Sequence, residues 1–473
     1  MLNKYFSHIV TLTVFVLLSI DCLAFHTDSI SRLGLPVLHI MTVDDEEPTC
    51  DYAFAPEGAF GITTVNNTKV PGRCVLTHYN DTLFDSGEYQ KDKSGMTLKI
   101  RGNTSAYYSS KKPYKLKLEK KNDLFGRGDS SFYDKNWVLL DCGLSLRTIL
   151  GNKVNQLVGM EWTPATKHVN LIINNDYRGI YLLTEQVKRN ADCRININKE
   201  TGYIIERDAY WWSENLYFTT EKYNIEYTFK YPDSEDVTEE QLTYISDYLK
   251  RFEESISNGT YTDYIDLNSW ASWLIGHDIL GSWDSGGSNL FLKKKDNTNE
   301  SLLEMTTLWD FDGIMRYYDK WPRIHTDNFF YYPQLINNQN MAFNDVYAER
   351  WKDLSAYVFD SLFIFLNQFE KSETAEALRR SESYEHNRWN YFDDSLDMNI
   401  EEDRQWLVNR QSWINEVIGQ LPTSNIKTHF TRDNSNHPFN LMGQPINIST
   451  FLGIYIKNGK KYIIHNKEGL LSK

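Results

Sequence analysis

The chain has 473 residues, 41% of them hydrophobic and 14% aromatic, enough apolar material for one large domain or two to three ordinary ones. Its 64 acidic residues outnumber 50 basic ones, for a formal net charge of −14. That balance argues against a nucleic-acid partner, because duplex binding relies on Lys and Arg neutralising phosphates. Residues 1–24 place Lys4 ahead of the apolar run Ile9 to Ile20, then Cys22-Leu23-Ala24. The run is too short to span a bilayer, so it reads as a signal peptide cleaved near Ala24, and the protein is expected to be secreted or at the cell surface. Lipidation at Cys22 is the alternative, disfavoured by Asp21 before it. No later run of about 18 apolar residues occurs, so no transmembrane segment is expected in the mature chain.

Beyond the signal lie Cys50, Cys74, Cys142 and Cys193. An exported chain with four cysteines permits two disulfides, with Cys50–Cys74 a natural loop closure; four reduced thiols are the alternative. "LPVLHIMTV" (35–43) reads as a strand, followed by a loop-rich stretch to about residue 94. "GMTLKIRGNTS" (95–105) and "KPYKLKLEKK" (112–121) read as two strands joined by a polar turn. Alternation in the second sets Tyr114, Leu116 and Leu118 opposite Lys115, Lys117 and Glu119. "DLFGRGD" (123–129) reads as a turn, although it contains an adhesive-type tripeptide. "SLRTILGNKVNQLVG" (145–159) has helical spacing, with Ser145 as N-cap and Gly159 as stop. "HVNLIIN" and "YRGIYLL" form a hairpin, and "CRININ" and "GYIIER" continue as strands.

Past Pro232 the pattern turns helical. "TEEQLTYISDYLKRFEESISNG" combines a Thr238/Gln241 capping box with apolar residues three and four apart, and 267–283 is a second, more apolar helix with His277 as a core histidine. Residues 309–420 are Trp/Tyr-rich and mostly helical, and 440–467 returns to short strands around "KNGKK".

Two stretches carry candidate chemistry. "SWDSGGSNLFLKKK" (282–295) spaces Asp284 and Asn289 as D-x-x-x-x-N, and "LWDFDG" (308–313) sets Asp310 and Asp312 around Phe311. A strand-rich half with basic residues, then a helical half with an Asp/Asn loop and a second acidic cluster, is the order of parts in a kinase-like phosphotransferase. Phosphoryl transfer needs cations on phosphates, oxygen ligands for Mg2+ or Mn2+, and a carboxylate that orients the attacking hydroxyl. Asp and Asn in a Gly/Ser-rich loop are also ordinary turn formers.

"RGNTS", "KKPYKLKL", "KNWVLL", "SLRTILGNKV", "LIINNDYRGIYLLTEQVKR", "KYPD" and "WDFDG", with the Asp284 loop, occur in an order that resembles the CotH family, the kinase-like proteins named for spore coat protein H. The resemblance spans residues 95–320. It implies an atypical protein-kinase-like fold that uses ATP and Mg2+ or Mn2+ to phosphorylate Ser on secreted or coat proteins. It makes Asp284 the catalytic aspartate and Asn289, Asp310 and Asp312 the metal-binding residues. The phosphate-binding lysine falls in "KKPYKLKL", with Lys117 preferred over Lys115 and Lys112. Its glutamate partner is expected on the helix at 145–158, but Lys153 stands at that position, which leaves Glu185 as substitute and an inactive kinase-like scaffold as an open reading.

The expected class is α+β. The expected organisation is a signal peptide (1–24), an N-terminal β/loop region (25–94), a kinase-like domain (95–425) and a C-terminal β tail (430–473) that resembles the sorting modules of exported Bacteroidetes proteins. The expected partners are a nucleotide and a protein substrate. The alternative function is a surface adhesin on an idle scaffold, with glycan contact through its aromatic-rich half. A glycosidase using Glu206 and Asp208 is a third reading.

Overall fold

The computed structural model describes residues 29–282, 288–315, 330–390, 394–419 and 421–424, and the backbone of strands at 439–440, 453–457 and 460–464. The expected signal peptide and Asp284 lie outside the described residues. The N-terminal half is strand-rich. It comprises β1 (Val37–Thr42), the hairpin β2 (Asp51–Phe54) and β3 (Ile62–Val65), β4 (Val70–His78), β5 (Asp81–Asp85), β6 (Met96–Ile100), the short helix α1 (Thr104–Tyr108), β7 (Tyr114–Asn122), β8 (Asp134–Leu140), helix α2 (Arg147–Leu157), β9 (Thr166–Ile173) and β10 (Asp176–Glu185).

Eight of these strands form one sheet in the order β1-β9-β10-β8-β7-β6-β4-β5, and β1 also pairs with β4, so the sheet closes on itself. Strand alternation fills the enclosed side. Tyr114, Leu116 and Leu118 of β7 join Leu98, Trp137, Leu139 and Leu183 in a hydrophobic core. The opposite face of β6 and β7 is left to Lys99, Lys115 and Lys117.

The stretch read as loop to residue 94 contains β2 to β5, which are short and largely exposed and therefore lack a strong alternation. "RGNTS" runs into α1 instead of a polar turn, and "CRININ" makes only an isolated bridge between Arg189 and Ile195. At α2 the N-cap position is Leu146, with Ser145 Oγ accepting weakly from the Arg147 amide at 3.4 Å. The four described cysteines are all free thiols.

A second, five-stranded sheet is ordered β12-β13-β11-β14-β15, from β11 (Tyr203–Arg207), β12 (Tyr217–Thr219), β13 (Glu226–Tyr231), β14 (Leu290–Lys294) and β15 (Leu303–Met305). Between β13 and β14 run α3 (Glu239–Asn258) and α4 (Leu267–Leu280). The Thr238/Gln241 capping box closes the start of α3, and α4 is buried on every side from Trp270 onward. Helices α5 (Tyr332–Ile336), α6 (Ala342–Ser355), α7 (Val358–Glu370), α8 (Glu373–Trp389) and α9 (Leu396–Gly419) complete the helical half. The tail contributes three short antiparallel strands, β16 (Phe439–Asn440), β17 (Gly453–Lys457) and β18 (Lys460–Ile464). Among the described residues no helix is long and apolar enough to cross a membrane.

One buried ion pair ties the halves together. Lys111 Nζ, fully buried, donates to the Ile180 carbonyl at 2.7 Å and to Glu385 Oε1 of α8 at 2.6 Å, with Asp141 at 3.1 Å. Glu385 Oε2 accepts from the Ile180 amide at 2.7 Å.

Candidate functional site

The site begins where β14 and the segment after β15 come together. Antiparallel pairing of β14 with β15, continued by the Thr306 amide donating to the Phe291 carbonyl at 3.1 Å, returns residue 310 to the start of β14. Asn289 Nδ2 donates to Asp310 Oδ2 at 3.1 Å and to Ser288 Oγ at 3.0 Å. The Asp312 amide points at Asp310 Oδ1 at 3.4 Å. Asn289 and Asp310 both have φ of 60°, in the left-handed region that Asn and Asp tolerate better than most side chains. Asn289 Oδ1 accepts no hydrogen bond among the described residues, so an amide oxygen, a half-buried carboxylate and the exposed carboxylate of Asp312 are gathered at one strand end.

Helix α2 holds that strand end at two points. Asn155 Oδ1 accepts from the Leu308 amide at 2.7 Å, while its Nδ2 donates to the Trp162 carbonyl and Thr163 Oγ1 at 2.8 and 2.7 Å. One turn earlier Gly151 lets the Phe311 ring lie directly on the helix backbone, because a Cβ there would stand closer than 3.0 Å to three ring carbons. Phe311 is thereby buried between its two aspartates.

Within electrostatic reach of this cluster is Arg101, one of a group of cations. Lys99 and Lys115 are cross-strand neighbours on β6 and β7. Burial, then the charges of Lys99, Arg101, Lys188 and Lys117, push the Lys115 ammonium down to about 8. Burial also lowers Lys99, with Lys69 and Arg101 adding to it. Burial lowers Arg101 against the opposing pull of Asp310, Asp312 and Glu206, the carboxylates nearest to it electrostatically. Among the described residues neither Lys99, Arg101 nor Lys115 forms an ion pair. Clustered cations with no ion pair of their own among the described residues, beside oxygen groups of the kind that ligate metals, are chemically suited to a polyanion.

The floor between the two groups is a charged trio on the second sheet. A bulge in the β11–β13 ladder turns Lys230 toward Glu206 at 2.7 Å and Asp208 at 3.8 Å, and Thr228 Oγ1 donates to Asp208 at 3.1 Å. Burial raises Glu206 to about 7 despite Lys230, with Asp208 adding to the rise. For Lys230, burial is outweighed by the two carboxylates and its pKa goes up. Glu206 and Asp208 share one lysine.

The other sequence candidates have different partners. Lys112 Nζ donates to the carbonyls of Ala106 and Ser109 at 2.6 and 2.7 Å, closing the C-terminal end of α1. Glu185 is engaged by Arg127 at 2.8 Å and by the Ala165 amide at 3.0 Å, so it is not the partner of a site lysine. Arg127 belongs to the "GRGD" turn and is folded back onto Asp123, which occupies the adhesive-type arginine. Lys153 bonds Gln156 on its own helix at 3.1 Å. Lys117 is exposed, while Lys115 is half-buried within the cation group. Arg101, Lys99, Asn155 and Gly151 were not singled out from sequence; the one available signal was Arg101's place in "RGNTS".

No group of three or more His, Cys, Asp or Glu able to hold a metal occurs among the described residues. A Mg2+ ion bound through one or two carboxylates and substrate phosphates does not need one.

The family model described as CotH kinase protein matches residues 98–414, more than half of the chain and every described residue of the site. No curated protein matches the chain.

Proposed function

The chain belongs to the CotH kinase protein family, and from that premise we propose that it transfers the γ-phosphate of ATP to a hydroxyl, Ser above all, on an acceptor protein, through a protein-kinase-like fold over residues 95–425. The observation that supports this reading is the cation group Lys99, Arg101 and Lys115, joined through Arg101 to the electrostatic reach of Asp310 and Asp312, with Asn289 bonded to Asp310. Lys115 and Arg101 would take phosphate oxygens, and the carboxylate of Asp310 with the free Oδ1 of Asn289 would hold Mg2+ or Mn2+. Bound metal would neutralise the charge between the phosphates. The Glu206–Lys230–Asp208 trio would keep Arg101 oriented from below. In the family resemblance Asp284 orients the acceptor hydroxyl and receives its proton. Export to the cell surface is part of the same proposal, on the strength of the N-terminal segment alone.

The test is incubation of the mature chain with γ-labelled ATP and Mn2+ or Mg2+. Label on the protein itself or on a Ser-rich acceptor, lost in Asp310→Ala, supports transfer. Absence of label while nucleotide and metal still raise the melting temperature would identify an idle kinase-like scaffold, and absence of both would overturn the reading.

A further inference from the structure

The β2–β3 hairpin precedes the family-matched region, yet side chains of β3 and of Asn67 just beyond it grip the turn that carries Arg101. Asn67 Nδ2 donates to the Ile100 carbonyl at 2.8 Å, Thr64 Oγ1 to the Gly102 carbonyl at 3.1 Å, and Thr63 Oγ1 to Asn103 Oδ1 at 2.8 Å. The Arg101 amide itself donates to the carbonyl of Pro113, two residues before Lys115, at 3.0 Å. The peptide unit that enters Arg101 is therefore held at both its oxygen and its nitrogen. Because that unit is planar, rotating it strains both bonds at once.

Asn103 shows how far the hairpin directs this turn. Asn is a favoured N-cap residue because its side-chain oxygen can accept from an orphan amide of the first helical turn. Asn103 stands at the N-cap of α1 and makes no such bond; its oxygen accepts from Thr63 instead. Gly102 before it has a φ of 95°, a left-handed value that glycine adopts without strain. On its far end the turn is tied to the floor of the site, because Thr104 Oγ1 lies 2.6 Å from the Tyr210 hydroxyl and the Tyr210 amide donates to Asp208 Oδ1 at 2.8 Å. The turn is held against a force. After burial, the charge of Arg101 is among the causes that lower both Lys99 and Lys115, so these cations repel one another, and an unheld turn would relieve the repulsion by swinging Arg101 into solvent.

We propose that the hairpin is a clamp on the phosphate site: Thr63, Thr64 and Asn67 are positioning residues that keep Arg101 where it meets phosphate oxygens. The inference rests on the kinase reading above and adds to it a segment outside the matched region. Folding of the hairpin gathers the cations in advance, so binding of the nucleotide does not have to reorganise the turn. A turn that holds its binding geometry for about a tenth of the time binds its ligand about tenfold more weakly. The adenosine part of a nucleotide carries no negative charge for Arg101 to meet and is indifferent to the clamp.

The probes are ATP, inorganic triphosphate and adenosine, each with Mn2+, titrated calorimetrically into the mature chain and its variants. In Thr63→Val/Thr64→Val, which keeps the side-chain shapes and removes both hydroxyls, ATP and triphosphate should bind about tenfold more weakly while adenosine is unaffected. Thr63→Ser/Thr64→Ser keeps the hydroxyls and should bind all three as the unaltered protein does. Where the Val pair does not fold, Asn67→Ala removes the bond to Ile100 and decides by the same criterion. Unchanged ATP affinity in the folded Val pair, or a Ser pair as weak as the Val pair, would overturn the clamp and leave the kinase reading standing. Equal weakening of ATP and adenosine would mark a general distortion and overturn the clamp as well. Unaltered protein that binds neither ATP nor triphosphate would overturn the kinase reading, and the clamp with it.

Discussion

Substituting Gly151 by Ala tests whether α2 sets the position of the acidic cluster. The added Cβ would stand closer than 3.0 Å to three carbons of the Phe311 ring. Ordinary carbon contacts are about 3.5–4.0 Å, so the ring must retreat by roughly 1 Å or the helix must bend. Overpacking of this kind costs about 1–3 kcal/mol. It is offset by about 1 kcal/mol, because Ala is the better helix former at an interior position. Net stability should therefore fall by no more than about 2 kcal/mol, read as a small shift of the urea midpoint at constant slope. Transfer should suffer far more, because Phe311 lies between Asp310 and Asp312 and a displacement of about 1 Å at reacting groups can cost on the order of 100-fold. Adding Phe311→Val, which makes room, should recover part of the loss and give a coupling energy in a double-mutant cycle. Folded Gly151→Ala protein with unaltered turnover would refute the argument that the helix positions Asp310 through this ring.

Nucleotide should raise the melting temperature only with divalent metal present, since a ligand held jointly by carboxylates and phosphates stabilises the folded state by mass action; an equal shift in EDTA would count against a metal at Asp310. Burial and the neighbouring cations push the Lys115 ammonium down to about 8 in the folded chain, against 10.5 for an ordinary lysine. Between these values the unfolded chain holds the proton and the folded one does not, so stability of the ligand-free protein should rise with pH from about 8 to 10. Lys115→Met should reduce that rise, leaving the share of Lys294, which burial also pushes down to about 8, and be the more stable protein at pH 7, as urea midpoints across the range would report. Nucleotide affinity of the unaltered protein should fall as pH passes 8, because the ammonium that meets the phosphate is lost. Lys111→Met leaves Glu385 and Asp141 without their shared cation and should cost about 3–5 kcal/mol in urea unfolding; an unchanged midpoint would refute the stabilising role of this pair.

Much of the architecture was legible because it is written in short-range periodicity. The alternation of Tyr114, Leu116 and Leu118 marked β7, and Thr238 with Gln241 marked the start of α3, since both signals involve residues a few positions apart. Asn289 and Asp310 stood out as chemically suitable groups after an apolar helix and a strand, and pairing across β14 and β15 places them in hydrogen-bond contact. Strands β2 to β5 were not legible, because they pair at the surface and carry no strong apolar pattern.

"KKPYKLKL" shows where sequence stops being informative. Lys111, Lys112, Lys115 and Lys117 are chemically equivalent as letters, and the resemblance could only assign the phosphate role to the stretch. In the fold, Lys111 is sealed against Glu385, Lys112 closes α1, Lys117 faces solvent, and Lys115 stays half-buried among like charges. The partners that separate them come from as far away as 274 positions in the chain. Glu185 is committed to Arg127 and Arg101 lies within electrostatic reach of Asp310 for the same reason. Spacing along the chain determined which elements form and which residue types recur. The role of each charge was decided by which distant groups the closed sheet and α2 bring within a few ångströms, where burial makes an unpaired charge costly and a paired one inert.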